Sequence, residues 1–307
     1  MPIAPPSPRR PWRRLSLVAA AFPPLALAFV AIRGAWKGWE ELHPARAPLR
    51  APSEIAGLPG LEDLALETED GVVLRAWWRP GELDAAVVLA HGWGSNREQM
   101  LEQATALAQA GFGVLLLDLR GHGASGGRTN AGDGEELDVR AATDHLAARQ
   151  GIRWLGAVGY SLGGIAVGAQ ASGDPRIRAV VVEGAPPTLD EELEALYGAG
   201  GPGLVPAVRA TMRLFGVRPE RVRLADELGA VAPRPVLLVY GERDELTAPG
   251  AAARIRERAG AKAELWIVPG ATHGDLEKVA GESLARRVVA FMERARADEA
   301  PASGPAR

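Results

Sequence analysis

Hydrophobic and polar positions alternate in two different rhythms along this chain. From Gly81 onward, short and almost unbroken apolar runs appear at Ala85–Ala90, Gly113–Leu119, Trp154–Tyr160, Ile177–Glu183, Pro235–Tyr240 and Ala263–Val268. Runs of this length without polar interruption suit strands buried on both faces of a parallel sheet. Between them, amphipathic stretches predict helices at about Glu98–Gln109, Glu135–Arg149, Leu162–Ala171 and Ala251–Arg258, with a last one at Glu277–Ala297. Strand and helix in alternation argue for βαβ units. Ahead of them, Leu64–Thr68 and Val72–Trp78 flank Glu69-Asp70-Gly71, and Asp-Gly is a hairpin signal, so an antiparallel pair is expected there.

Two segments break the rhythm. Arg9, Arg10, Arg13 and Arg14 precede an uncharged run from Leu15 to Ile32 that Arg33 closes. As a helix this run spans ~27 Å, close to the ~30 Å hydrocarbon core of a bilayer. It is expected to be a membrane anchor with the remaining chain on the outer side, or a secretory signal cut near Ala26-Leu27-Ala28. Residues 34–60 then form a connector in which Trp36 and Trp39 suit a membrane interface or a core. The second break, residues 184–232, interrupts the strand series. It carries a stripe of Leu204, Val208, Met212 and Phe215 that either packs on the domain or lines an acyl pocket beneath a small helical cap. Residues 298–307 have too few apolar side chains to order themselves.

Composition narrows the picture. With 307 residues, 47% hydrophobic and 24% charged, the chain is long enough for one α/β domain with additions. A net charge of -3 leaves no electrostatic footprint for nucleic acid. The absence of cysteine removes disulfides, thiol nucleophiles and thiolate metal sites. No His, Asp and Glu grouping has metal-ligand spacing, so neither a metal nor an organic cofactor is expected.

The chemistry gathers at Gly159-Tyr160-Ser161-Leu162-Gly163, where an apolar run ends in the G-x-S-x-G form of a nucleophile elbow. A serine hydroxyl needs a base, a carboxylate to orient that base, and donors for the oxyanion that forms. His273 follows the last strand and Asp244 the one before it, which gives the order Ser, Asp, His. The oxyanion donors are expected to be the backbone N–H groups of Leu162 and, in the loop His91-Gly92-Trp93, of Trp93. Competing candidates are placed in other roles. Ser125, in a second G-x-S-x-G, lies past its strand and leads into no helix. His91 and His122 are expected to bond nearby backbone, and His43 and His145 to be solvated. Glu183, Glu242 and Glu245 are the alternatives for the acid. Glu135-Glu136 and Glu191-Glu192 read as solvated helix faces.

His91-Gly92, Asp118-Leu119-Arg120-Gly121-His122-Gly123-Ala124-Ser125, the elbow, Gly241-Glu242-Arg243-Asp244 and Gly270-Ala271-Thr272-His273 stand in register. Together, over about residues 61–297, the chain resembles the α/β-hydrolase superfamily, close to the serine aminopeptidase S33-like and Bem46-like hydrolases. That resemblance implies a mostly parallel eight-stranded sheet flanked by helices, with these motifs serving in turn as oxyanion loop, structural turn, nucleophile, acid and base. The expected activity is hydrolysis of an ester, thioester or amide through an acyl-enzyme. A hydrolase fold kept as a membrane-tethered scaffold and a cofactor-free haloperoxidase are the rival readings.

Overall fold

The computed structural model describes residues 12–247 and 249–299. In chain order the elements are α1 (Trp12–Leu42), β1 (Glu62–Glu67), β2 (Val73–Arg79), β3 (Ala85–Ala90), α2 (Leu101–Gln109), β4 (Gly113–Asp118), α3 (Glu136–Ala147), β5 (Trp154–Tyr160) and α4 (Leu162–Gly173). There follow β6 (Ile177–Glu183), α5 (Leu189–Tyr197), α6 (Leu204–Leu214), α7 (Leu224–Val231), β7 (Val236–Gly241), α8 (Pro249–Ala259), β8 (Ala263–Val268), α9 (Leu276–Ala280) and α10 (Glu282–Glu299).

One eight-stranded sheet has the order β1-β2-β4-β3-β5-β6-β7-β8. The β1/β2 hairpin is antiparallel and joins β4 antiparallel, and every pair from β4 onward is parallel. Side chains of the central strands alternate between two buried clusters. Val88, Ala157, Val180 and Leu238 face the layer of α3, α4, α7 and α8, while Val87, Val158, Val181 and Leu237 face α2 and α10. Burial on both faces is why these strands read as continuous apolar runs rather than alternating ones. A parallel sheet also brings its loops together at the strands' C-terminal ends, where β3, β5, β7 and β8 each deliver a candidate residue.

The structure redraws three boundaries. The last helix is two, α9 and α10, separated at Gly281, whose φ of 52° lies in the left-handed region. The insertion expected to act as a cap over residues 184–232 divides: α6 packs on α1 and α5, whereas α7 packs on α4 and α8 as part of the main helical layer. The segment expected to be a connector from Gly34 is helical as far as Leu42. It is held there because α1 lies along α6. The N-terminal run at Leu15–Ile32 falls within α1. Its side chains before residue 24, Arg9 and Arg10, and the tail from residue 300 lie outside what the structure describes. Among the described residues no helix is long and apolar enough to cross a membrane.

Candidate active site

β5 ends one residue before Ser161, and α4 begins one residue after it. The turn between them holds Ser161 at φ 50°, ψ -114°, a conformation that costs a non-glycine residue roughly 1–3 kcal/mol. The flanking glycines are steric requirements. A Cβ on Gly159 would lie 2.1 Å from the Gly163 carbonyl oxygen, and one on Gly163 would lie 2.2 Å from that of Ala90. Ser161 is fixed by its N–H, which donates to the Glu183 carbonyl at 2.7 Å, and by its own carbonyl, which accepts from Ile165 N–H at 3.1 Å. Its hydroxyl projects out of this frame.

The imidazole of His273 comes to that hydroxyl from the loop after β8. His273 Nε2 lies 3.1 Å from Ser161 Oγ, and Nδ1 lies 3.1 Å from Asp244 Oδ2. The other carboxylate oxygen, Asp244 Oδ1, accepts the N–H groups of Leu246 at 2.9 Å and Thr247 at 2.7 Å, so the acid is held from behind. The Asp244 side chain is fully buried and that of His273 nearly so. Burial alone would lower the His273 pKa, but the hydrogen bond it donates to Asp244 and the charge of that carboxylate outweigh it and hold the imidazole above its ordinary 6.5. Tyr160, the residue before the serine, donates its hydroxyl to the His273 carbonyl and pins the loop that carries the imidazole.

The loop after β3 closes the other side. Gly92 sits so near Ser161 that a Cβ there would meet Ser161 Cβ at 3.4 Å and the Tyr160 ring at 2.8 Å. Gly92 N–H is taken by Gln99 Oε1 at 2.9 Å. Among the described residues, neither Trp93 N–H nor Leu162 N–H has an internal acceptor, and both residues line the cavity over Ser161. The cavity holds about 320 Å³ and has apolar walls from Leu162, Ile165, Leu189, Leu196 and Leu246.

Of the two readings of the stripe on α6, packing on the domain holds: Leu204, Val208 and Met212 are buried in the main core, Phe215 is partly exposed, and the cavity is lined instead by α5. Other expectations are corrected. Glu192 of α5 is no solvated helix-face residue. It lines the cavity, and burial pushes its carboxyl up to about 7. Glu135, also expected in solvent, is fully buried and accepts Thr129 Oγ1, Asn130 N–H and Gly132 N–H. His43 is not simply solvated, because it stacks on Trp39 with ring centroids 4.5 Å apart and meets Phe215 edge-on. His145 is half-buried, with Nε2 accepting Arg149 Nε–H at 3.1 Å.

Other placements agree with the reading of the motifs. His91 accepts Leu119 N–H at Nε2 and bonds the Gly92 carbonyl through Nδ1, and burial lowers its pKa to about 3. His122 Nδ1 bonds the Arg120 carbonyl. Glu183 points away from His273 toward Gln103 Nε2 at 3.0 Å, and Glu242 accepts Gly270 N–H. Glu245 accepts only the backbone N–H of His273, at 3.3 Å.

Glu41, Gln99 and Tyr160 belong to the site and were not identified from the sequence. Tyr160 adjoins the nucleophile and was the one within reach of a local signal. Glu41 is remote in sequence, and nothing near it marks it.

A family model described as serine aminopeptidase, S33, matches residues 81–217, which include the loop after β3 and the elbow. An uncharacterized protein of Mycobacterium tuberculosis is 29% identical over 247 residues, covering 78% of this chain and 82% of its own length. A monoacylglycerol lipase of Mycolicibacterium smegmatis is 28% identical over 266 residues, covering 73% of this chain and 90% of that protein. Among solved structures, a Pyrococcus furiosus esterase has a TM-score of 0.69 at 26% identity, covering 83% of this chain and 98% of the other. With its sheet and its elbow the chain has the α/β-hydrolase fold, and it is similar over residues 81–217 to the serine aminopeptidase S33 family and over most of its length to an esterase and a lipase.

Proposed function

We propose that the chain is a serine hydrolase that cleaves carboxylic esters through an acyl-enzyme. The observation that carries this reading is the unbroken line of hydrogen-bonding atoms from Ser161 Oγ through His273 to Asp244, on a serine held in strained backbone. Ser161 Oγ attacks the ester carbonyl as His273 Nε2 takes its proton. Asp244 holds the imidazole tautomer and stabilises the imidazolium. The N–H groups of Trp93 and Leu162 receive the oxyanion. Collapse expels the alcohol, which leaves with the proton from His273, and a water deprotonated by the same imidazole releases the acid.

Ester is preferred to amide or thioester because an esterase and a lipase are among the similar proteins. The reading extends to location. The arginines before Leu15–Ile32 and the exposed apolar side chains where α1 leaves the domain support an N-terminal anchor with the catalytic domain on the outer side. Labelling with a fluorophosphonate probe tests the chemistry. Stoichiometric labelling of the wild type and none of Ser161→Ala is expected, and equal labelling of the two would overturn the assignment.

A further inference from the structure

The end of α1 that meets the domain is built into the catalytic cavity. Gly34 and Gly38 allow α1 to lie directly on α6: a Cβ at Gly34 would be 2.2 Å from Ala207 Cβ, and one at Gly38 would be 2.8 Å from Thr211 Cβ. Small residues four apart on both helices give this close backbone approach. One turn later, Glu41 lines the cavity. Its carboxylate accepts the Tyr197 hydroxyl of α5, and its carbonyl accepts Trp93 Nε1–H at 2.9 Å. α1, the cap and the oxyanion loop are therefore tied into one wall.

The same helix carries apolar side chains outward. Phe29, Ile32 and Trp36 are each 60% exposed or more, and Leu214, on the cap helix beside α1, is 86% exposed. They continue the uncharged run that begins at Leu15. From Ile32 to Glu41 is nine residues, ~14 Å along a helix, about twice the ~5–7 Å depth of one headgroup layer, so a helix tilted against the bilayer brings Glu41 to its surface. An anchored α1 would thus set the cavity mouth at the bilayer surface. The cavity walls are largely apolar, their lining includes the carboxyl groups of Glu41 and Glu192, and among the described residues no lysine or arginine lines them. Two carboxyls whose ionisation burial already resists, with no cation beside them, offer an anionic headgroup no partner and leave an uncharged one unopposed.

We propose that α1 is a wall of the substrate site as well as an anchor, and that the enzyme draws an electrically neutral acyl ester lipid from the bilayer in which α1 is held. The proposal rests on the reading of Ser161 as nucleophile and of the N-terminal run as an anchor. It goes further in naming the substrate class and its route.

The test uses the full chain in vesicles of ether-linked phosphatidylcholine, which offers no carboxylic ester. Dioleoylglycerol or dioleoyl phosphatidate is placed either in the enzyme's own vesicles or in a separate vesicle population, and released oleate is measured. Dioleoylglycerol is expected to be cleaved at least tenfold faster in the enzyme's own vesicles than across populations, and at least tenfold faster than phosphatidate. The double variant Glu41→Gln, Glu192→Gln is expected to narrow the second ratio severalfold. Turnover of p-nitrophenyl butyrate and flotation of the protein with vesicles are measured in parallel. If both are normal and dioleoylglycerol is cleaved equally from either population, or phosphatidate is cleaved as fast, the proposal alone falls. If butyrate turnover is absent, or the protein stays at the bottom of the gradient, the underlying reading falls and takes the proposal with it.

Discussion

Ser161 and Ser125 occupy the same five-residue pattern, glycine at both outer positions, and both are largely buried. Their hydroxyl groups differ in what they already hold. Ser125 Oγ donates to the Asp118 carbonyl at 2.6 Å and accepts Arg75 N–H at 2.8 Å, so both its donor and an acceptor lone pair serve the backbone. Around it, Asp118 binds Arg97 N–H and Ala124 N–H, which makes the Asp118–Ser125 turn a knot of hydrogen bonds with no free nucleophile. Ser161 is tied down only through its main chain, and its hydroxyl faces an imidazole. Position in a glycine pattern sets the bend, while the partners of the oxygen decide whether the bend does chemistry.

The largest test of that contrast removes each hydroxyl in turn. Ser161→Ala is expected to lower p-nitrophenyl ester turnover by about 10⁶-fold, while Ser125→Ala leaves kcat within about tenfold. Comparable losses in the two variants would dissolve the distinction. Next comes the orienting acid. Asp244→Asn keeps an oxygen for Leu246 and Thr247 but loses the charge, and a fall of about 10⁴ in kcat is expected.

The pH profile reports the same pair. His273 acts as a base only when neutral, and Asp244 holds its pKa above 6.5. On the acid side, kcat/KM should therefore fall about tenfold per pH unit, with its inflection above 6.5. Asp244→Asn should move that inflection downward, and an unmoved inflection would assign the titration to another group. Ser125→Ala then reports on the folded state. It leaves the Asp118 carbonyl and Arg75 N–H without this partner, at a cost of about 1–3 kcal/mol in denaturant unfolding.

The smallest expected effect on catalysis belongs to Glu183, the rejected acid. Burial pushes its carboxyl up to about 8 from an ordinary 4.5. Between those values the folded protein binds the proton that the unfolded chain has lost. Stability from this group therefore falls as pH rises, by at most about 1.4 kcal/mol per unit. Glu183→Gln should flatten that slope in unfolding curves taken from pH 5 to 8 and leave turnover within about threefold.

The parallel core was legible because strands buried on both faces write themselves as uninterrupted apolar runs. β3, β5, β6 and β8 begin and end where those runs do. Ser161, Asp244 and His273, which stand in a line of hydrogen-bonding contacts, were legible as a group because each follows a strand in a short glycine-rich motif. Less could be read from the helices. A stripe such as Leu204, Val208 and Met212 says that one face is covered and is silent about what covers it, and here the cover is the main core. Nor does an amphipathic pattern say whether α7 belongs to a cap or to the sheet's own layer. Glu41 and Gln99 were out of reach because they enter the cavity through contacts distant in sequence or through a loop turn. Glu135 was misplaced because two adjacent glutamates look alike until one of them turns inward to bind three donors.

The placement of the triad along the chain has a consequence in time. The oxyanion loop and Ser161 lie ahead of the cap, Asp244 and His273 lie behind it, and α1 precedes them all. A chain made from its N-terminus completes α1 early and its imidazole late, and domains fold as their segments emerge. Until β8 has added to the edge of the sheet there is no base for the serine. On the proposed reading, Ser161 thus gains its imidazole partner only after the N-terminal helix has been made.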